Sequence, residues 1–199
     1  MIQTYVTPES DMDTLMEAPT TWRPPRYDLA EDAPAPSFFS LRRLRAERLG
    51  EMHLPVLRSM HHNEQLMASL GGVRSDAETD EYLARNLSHW AEHGFGIWIL
   101  RDPSGRVVGR AGLRHLEVEG VPEVEIACAL FPEFWGQGLA TDAVRACVTI
   151  GRDWLGFPSV VALTLPANLA SQRVLRKAAL VREREVLHGG VGHLLFRSD

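Results

Sequence analysis

Three strand-like runs follow one another so closely that they can pair only as antiparallel neighbours, and this constrains the fold more than any other feature. Residues 95–100 and 107–116 are separated by Asp102-Pro103-Ser104-Gly105, which is turn chemistry, and residues 123–131 follow with Val121-Pro122 just ahead of them. A parallel pairing would need a crossover of a dozen or more residues, and none fits. The texture then switches. Leu139, Ala143, Cys147, Ile150 and Trp154 fall at spacings of 4, 4, 3 and 4, the signature of an amphipathic helix. Residues 159–165 form a near-continuous apolar run, as expected of a strand buried on both faces. Pro166 stops that run, and Asn168 can cap a short helix through Lys177. Residues 180–187 and 192–196 complete the sheet as a final pair.

Upstream, residues 39–45 read as a short strand, followed by a weakly amphipathic helix kinked near Pro55. Ser75-Asp76-Ala77-Glu78 is a capping box that opens a helix carrying Leu83, Leu87 and Trp90, and Gly94 ends it. The expected architecture is a mixed α+β sheet, antiparallel in its first half and strand–helix–strand–helix in its second. Residues 1–37 hold six of the twelve prolines (Pro8, Pro19, Pro24, Pro25, Pro34, Pro36) and no sustained periodicity. They predict an extended arm or a tail, with Tyr5, Trp22 and Tyr27 as anchors if it docks, leaving 38–199 as the folded domain.

The formal net charge of −5 and pI near 5.9 argue against a nucleic-acid backbone as partner, because phosphate binding needs a basic surface. Such a balance fits a cationic substrate slightly better. The two cysteines, Cys128 and Cys147, sit among apolar neighbours and read as unpaired core residues of a reducing compartment. No apolar run approaches the roughly 20 residues of a membrane span. The N-terminus lacks the basic and apolar regions of a secretory signal, so a cytoplasmic protein is expected.

The chemistry concentrates in Trp135-Gly136-Gln137-Gly138-Leu139-Ala140-Thr141, between a strand and a helix. The first turn of such a helix presents backbone N–H groups with no internal partner, backed by a positive partial charge. Small residues let a pyrophosphate approach those donors, and Thr141 can add a hydroxyl. A P-loop is excluded, since no Gly-x4-Gly-Lys-Ser/Thr occurs. A dinucleotide fingerprint lacks its third glycine and its downstream acidic residue. The segment is an anion cradle without a lysine, or else a glycine-rich helix entry with no ligand.

Further landmarks lie on either side. Leu41-Arg42-Arg43-Leu44-Arg45, Val108-Gly109-Arg110-Ala111-Gly112-Leu113 and Glu125-Ile126-Ala127-Cys128-Ala129-Leu130 precede the cradle, and Asn168-Leu169-Ala170-Ser171 opens the next helix. In this order the chain resembles the GNAT superfamily of acetyltransferases over about residues 38–197, and within it the RimJ/RimL-like branch of ribosomal-protein N-terminal acetyltransferases. The resemblance implies the α+β GNAT (acyl-CoA N-acyltransferase) fold, a mixed central sheet of about seven strands with helices on both faces. It implies acetyl-CoA as co-substrate and a primary amine as acceptor, a protein N-terminus before a small molecule such as an antibiotic, polyamine or amino acid. A third reading is a non-catalytic acyl-CoA-binding module. Backbone groups of Ala129, Leu130 and Phe131 would bond the pantetheine arm. Gly136, Gln137, Gly138, Leu139, Ala140 and Thr141 would hold the pyrophosphate. Asn168 would meet the pantetheine region, with helix capping as its plainer role, and Ser171 would lie near the thioester sulfur. The acceptor pocket is expected from the early helices and the loops near 60–75 and 185–192. Ala127-Cys128 depart from the family's Gly-Tyr, and Ala179-Leu180 from its Gly-Phe; the latter reads as core packing.

Acetyl transfer needs a neutral amine, a path for its proton and a donor to the leaving thiolate. A peptide α-amine, with a pKa of about 7.7–8.0, is partly neutral at pH 7, whereas a lysine near 10.4 demands a stronger base. Glu125 is the first candidate base because it matches a family glutamate, with an ion-paired carboxylate as the alternative; Glu123 and His115 follow. Tyr5, Tyr27 and Tyr82 all lie upstream of the cofactor segments, so Ser171 or a water is expected to serve the leaving group. His89 and His93 at i,i+4 and the adjacent His61-His62 lack further metal-ligand partners in sequence and read as solvated histidines, with no metal expected. The arginines of 42–48 read as a solvated strand end, with the steering of an acidic ligand as the alternative. A monomer or homodimer is expected.

Overall fold

The hairpins dictated by short turns form, and one more appears than the sequence suggests. In the computed structural model, which describes residues 34–198, Phe38–Leu41 (β1) and Leu44–Arg48 (β2) pair antiparallel around Arg42-Arg43. The single strand expected at 39–45 is therefore a hairpin, and the sheet has eight strands. No glycine or proline marks this turn, so its position is invisible to pattern.

Leu54–His61 (α1) and the single turn Glu64–Met67 (α2) precede the long helix Asp76–His93 (α3). Its capping box is made as expected: the Glu78 N–H donates to Ser75 Oγ at 3.3 Å, and the Ser75 N–H donates to Glu78 Oε2 at 2.8 Å. Gly94 ends it in the left-handed conformation at φ 70°. The meander Ile97–Arg101 (β3), Val107–Val118 (β4) and Val121–Leu130 (β5) is antiparallel throughout. Leu139–Thr149 (α4) runs into a π-helical turn at Ile150–Trp154 and crosses back to Val161–Thr164 (β6). Leu169–Lys177 (α5), Leu180–His188 (β7) and Val191–Ser198 (β8) finish the chain. The sheet order is β1-β2-β3-β4-β5-β6-β8-β7, and β5–β6 is its parallel pair, matched at Glu125 opposite Val161.

Alternate residues of β3 enter different cores, as the pleat requires. Trp98 and Leu100 join Leu139, Ala143, Cys147 and Leu175 beneath α4 and α5. Ile97 and Ile99 join Leu57, Tyr82 and Leu83 beneath α1 and α3. Helices thus cover both faces. Burial pushes both thiols up, Cys128 to about 12.

Residues 34–37, expected to belong to the arm, are tied to the domain. The Ala35 N–H donates to Gly94 O at 2.8 Å, Trp98 Nε1–H to Pro36 O at 2.8 Å and Trp154 Nε1–H to Pro34 O at 3.1 Å. The remainder of the expected arm, with Tyr5, Trp22 and Tyr27, lies outside the described residues.

Candidate active site

Between β5 and α4 the chain makes a short 3-10 turn, Pro132–Phe134, and then passes through two left-handed glycines. Gly136 has φ 73° and Gly138 φ 79°, a conformation that costs an L-residue roughly 1–2 kcal/mol. A Cβ at Gly136 would meet nothing within 4 Å, so the loop is open on that side. No side chain caps α4, whose first internal bond runs from the Asp142 N–H to Gly138 O at 3.1 Å. The N–H groups ahead of it are free to receive an anion, with the helix dipole behind them. Leu139 and Thr141 are buried at this turn, anchoring the cradle to the core.

Arg43 closes the cradle from above. Its Nη1–H donates to Gln137 O at 2.6 Å and its Nη2–H to Asp142 Oδ2 at 2.7 Å. The arginine expected at a solvated strand end therefore sits at the hairpin turn against the loop, and brings the cationic side chain that the motif itself lacks. Nothing in the local sequence couples residues 94 positions apart.

The edge of β5 supplies a second element. The Phe131 N–H donates to Val108 O at 3.0 Å and so faces β4. Antiparallel alternation then turns the N–H groups of Leu130 and Cys128 to the opposite edge. Leu130 O on that edge already accepts Trp135 Nε1–H at 2.7 Å. Of the expected trio Ala129, Leu130 and Phe131, only the Leu130 N–H is turned to the open edge and spare; Cys128, not among the expected residues, joins it.

At the N-terminus of α5, Asn168 Oδ1 accepts the Ser171 N–H at 3.0 Å, making Asn168 a helix cap. This bond uses the backbone of Ser171 and leaves its hydroxyl uncommitted.

Glu125 is buried on the β5 face beneath α3, where its Oε2 accepts Arg114 Nε–H at 2.5 Å. The other two candidate bases do not join it. Glu123 is held by the two terminal guanidinium nitrogens of Arg197, at 2.6 and 2.9 Å. His115, next to Arg114 on the strand, turns to the opposite face and packs edge-on against Phe157 and Phe95. There it meets His89 and His93, with ring nitrogens of all three within 4.8 Å of one another. His89 Nδ1–H donates to Phe95 O at 2.8 Å, and its Nε2 accepts the His115 N–H at 3.0 Å, so both its nitrogens are engaged. The solvated reading holds for exposed His62 and His93 but fails for half-buried His89 and for His61, which is fully buried.

Tyr82, set aside from sequence because it precedes the cofactor segments, is brought by α3 onto the β4 face that carries Arg110 and Arg114. Its ring centroid lies 4.9 Å from the Arg110 Cζ and 5.3 Å from that of Arg74.

An uncapped helix behind two left-handed glycines, beside an open strand edge, suits a long ligand with an anionic end. Residues 40–181 match the family profile of the acetyltransferase (GNAT) domain. The chain belongs to the GNAT acetyltransferase family. It is 28% identical over 122 residues to the uncharacterised YkkB protein of Bacillus subtilis, a match covering 61% of this chain and 71% of that protein. Among solved structures it is similar to a GnaT-family acetyltransferase from Bordetella pertussis, with a TM-score of 0.72 at 24% identity over 81% of this chain and 99% of the other. It is also similar to RimL, a ribosomal L7/L12 α-N-protein acetyltransferase solved with coenzyme A, at a TM-score of 0.66, 19% identity and coverage of 80% and 96%. These two likenesses speak for the fold. As a GNAT acetyltransferase the protein uses acetyl-CoA and acts on an amine acceptor. Among the described residues, no helix is long and apolar enough to cross a membrane.

Proposed function

We propose that the protein acetylates the α-amine at a protein N-terminus by direct attack on acetyl-CoA in a ternary complex. The observation that carries this reading is the Arg114–Glu125 pair. The pair sets one buried carboxylate on the β5 face, gripped by a guanidinium at 2.5 Å, to receive a proton from an amine that is already partly neutral. A peptide α-amine, of pKa about 7.7–8.0, meets that condition, and a lysine near 10.4 does not. RimL, described as an α-N-protein acetyltransferase, shares the fold.

Acetyl-CoA supplies an activated thioester carbonyl. In the proposed site the N–H groups ahead of α4 and Arg43 hold its pyrophosphate, and the Leu130 and Cys128 N–H groups lie along the pantetheine arm. The amine lone pair attacks the carbonyl carbon, the C–N bond forms and the C–S bond breaks. The nitrogen proton leaves toward Glu125, directly or through water, and the departing thiolate takes a proton from a water or from the Ser171 hydroxyl, which solvent reprotonates as Glu125 gives its proton up to solvent. Direct attack is favoured over a route through an acyl-cysteine at Cys128, whose thiol burial pushes up to about 12.

Thiol release on an amine panel tests the reading. Turnover on peptides, with lysine and polyamines slower, is expected. Turnover confined to small amines would replace it with a small-molecule acetyltransferase, and acetyl-CoA binding without turnover on any amine would remove catalysis.

A further inference from the structure

The face of β4 that carries Arg114 also carries Arg110, two strand turns along and on the same side of the pleat. Arg114 is answered by Glu125. Arg110 is not answered: it is 6% exposed, its Nε is buried without a hydrogen-bond partner, and no ion pair among the described residues reaches it. Its guanidinium lies over the ring of Tyr82, which is 4% exposed and whose hydroxyl is likewise buried and unbonded. Arg74, from the loop before α3, lies against the same ring. It is close enough that burial, and then the charge of Arg110, hold its pKa below the ordinary arginine value. His61 fixes it there, with Arg74 Nη1–H donating to His61 Nε2 at 3.4 Å.

A buried guanidinium without a counter-charge is among the costliest arrangements in a protein interior. A ring face offsets a small part of that cost. Two guanidinium groups and a free hydroxyl, all donors and none satisfied by a carboxylate, describe a place that lacks an anion. A carboxylate suits them, because a guanidinium fork matches its two oxygens and the phenol adds a third donor.

We propose that Arg110, Arg74 and the Tyr82 hydroxyl form a carboxylate-binding subsite for the acceptor, so that the amine this protein acetylates carries an acidic group. The inference rests on the reading of the Glu125 face as the acceptor side. It reverses the expectation, drawn from net charge alone, of a cationic substrate: the chain is acidic overall, but this face is basic. On a protein N-terminus the carboxylate is the side chain of a leading aspartate or glutamate. On a free amino acid it is the α-carboxylate.

Two measurements on the full-length protein test it. The first is thiol release with a peptide beginning in Asp, its counterpart beginning in Asn, and free aspartate. The acidic peptide is expected to exceed the amide in kcat/KM on the order of tenfold or more, the worth of a charge-assisted pair. Arg110→Met should collapse that ratio to about one, and Arg74→Met, in the more exposed position, should lower it in a variant less prone to misfold. A ratio near one in the wild-type protein, with both peptides turning over, overturns the subsite and leaves the proposed activity intact. Free aspartate outrunning both peptides supports the subsite and overturns the protein N-terminus as its source. The second measurement needs no turnover. N-acetylaspartate α-amide should raise Tm more than N-acetylasparagine α-amide, which carries no carboxylate, and Arg110→Met or Arg74→Met should remove the difference. Equal effects of the two compounds overturn the subsite even where no acceptor is found.

Discussion

Arg43 Nη1 lies 2.6 Å from the carbonyl oxygen of Gln137, which binds the turn of the first hairpin to the loop that precedes α4. The same guanidinium reaches Asp142 one helical turn later, so a single side chain spans the cradle. A cation at this place raises the local potential for a pyrophosphate, and the carbonyl contact orients the peptide planes on either side of Gln137. Arg43→Gln should therefore raise the Kd for acetyl-CoA by about two- to fivefold, the range of a half-exposed ion pair. The loss should shrink at high salt, where screening removes the advantage. Titration calorimetry with acetyl-CoA at low and at high ionic strength checks both statements. Unchanged affinity would reduce Arg43 to a structural clasp.

Asn168 has two candidate roles that one substitution separates. Its Oδ1 caps α5 through the Ser171 N–H, so Asn168→Ala should cost about 1 kcal/mol. Asn168→Asp keeps the acceptor, and with it Tm, but places a negative charge where the acetyl-CoA arm is expected. The aspartate variant should bind acetyl-CoA several-fold more weakly at unchanged Tm; unchanged binding leaves capping as the whole role. Ser171→Ala should slow turnover several-fold with little change in acetyl-CoA affinity, because only the hydroxyl is removed and the cap is a backbone contact.

The cradle was legible because its chemistry is local. A strand, two glycines and a helix follow one another within a dozen residues, and backbone geometry does the rest. The capping box of α3 and the antiparallel meander were legible for the same reason. What lay hidden is what packing assembles from distant segments. Arg43 reaches the cradle only because Arg42-Arg43 make a turn with no turn-forming residue. Tyr82, Arg110, Arg74 and His61 come from α3, β4, a loop and α1, and their meeting is decided by how α3 lies on the sheet. His89 shows the converse error, since spacing on a helix could not reveal that both its ring nitrogens are engaged by Phe95 and His115.

Ala179 corrects a smaller expectation. The Ala179-Leu180 pair read as core packing, and Leu180 is indeed buried, but Ala179 is exposed with φ 66°. It follows α5 at the position where a left-handed residue ends a helix, and glycine adopts that conformation without a Cβ penalty. Ala179→Gly should stabilise the protein by about 0.5–1 kcal/mol after the larger unfolded-state entropy of glycine is subtracted. Thermal unfolding should show Tm raised by roughly 2 °C. A lowered Tm would mean that the strain at this residue is negligible.

His61 makes stability depend on pH with a predictable sign. It is fully buried, and its Nδ1–H donates to Thr79 Oγ1 at 2.9 Å, because the Thr79 hydroxyl donates in turn to Ser75 O. Its Nε2 lone pair faces Arg74. Burial first, and then Arg110, Arg74 and His62, push its pKa from 6.5 down to about 4, against a small opposite pull from Glu78. The unfolded chain thus takes up a proton as pH falls below 6.5, while the folded protein refuses it until pH 4 is near. Stability should fall across that window, on the order of 2 kcal/mol between pH 7 and pH 5 from this residue, and level off below pH 4. Half-buried His89 is lowered in the same direction, mainly by burial, and adds to the slope. His61→Gln removes one titrating group, so the comparison isolates its share. Urea midpoints at pH 7, 6 and 5 should drop less in the variant than in the wild-type protein. Parallel slopes would show that the imidazole titrates normally inside the fold, which its hydrogen bonds to Thr79 and Arg74 could not survive.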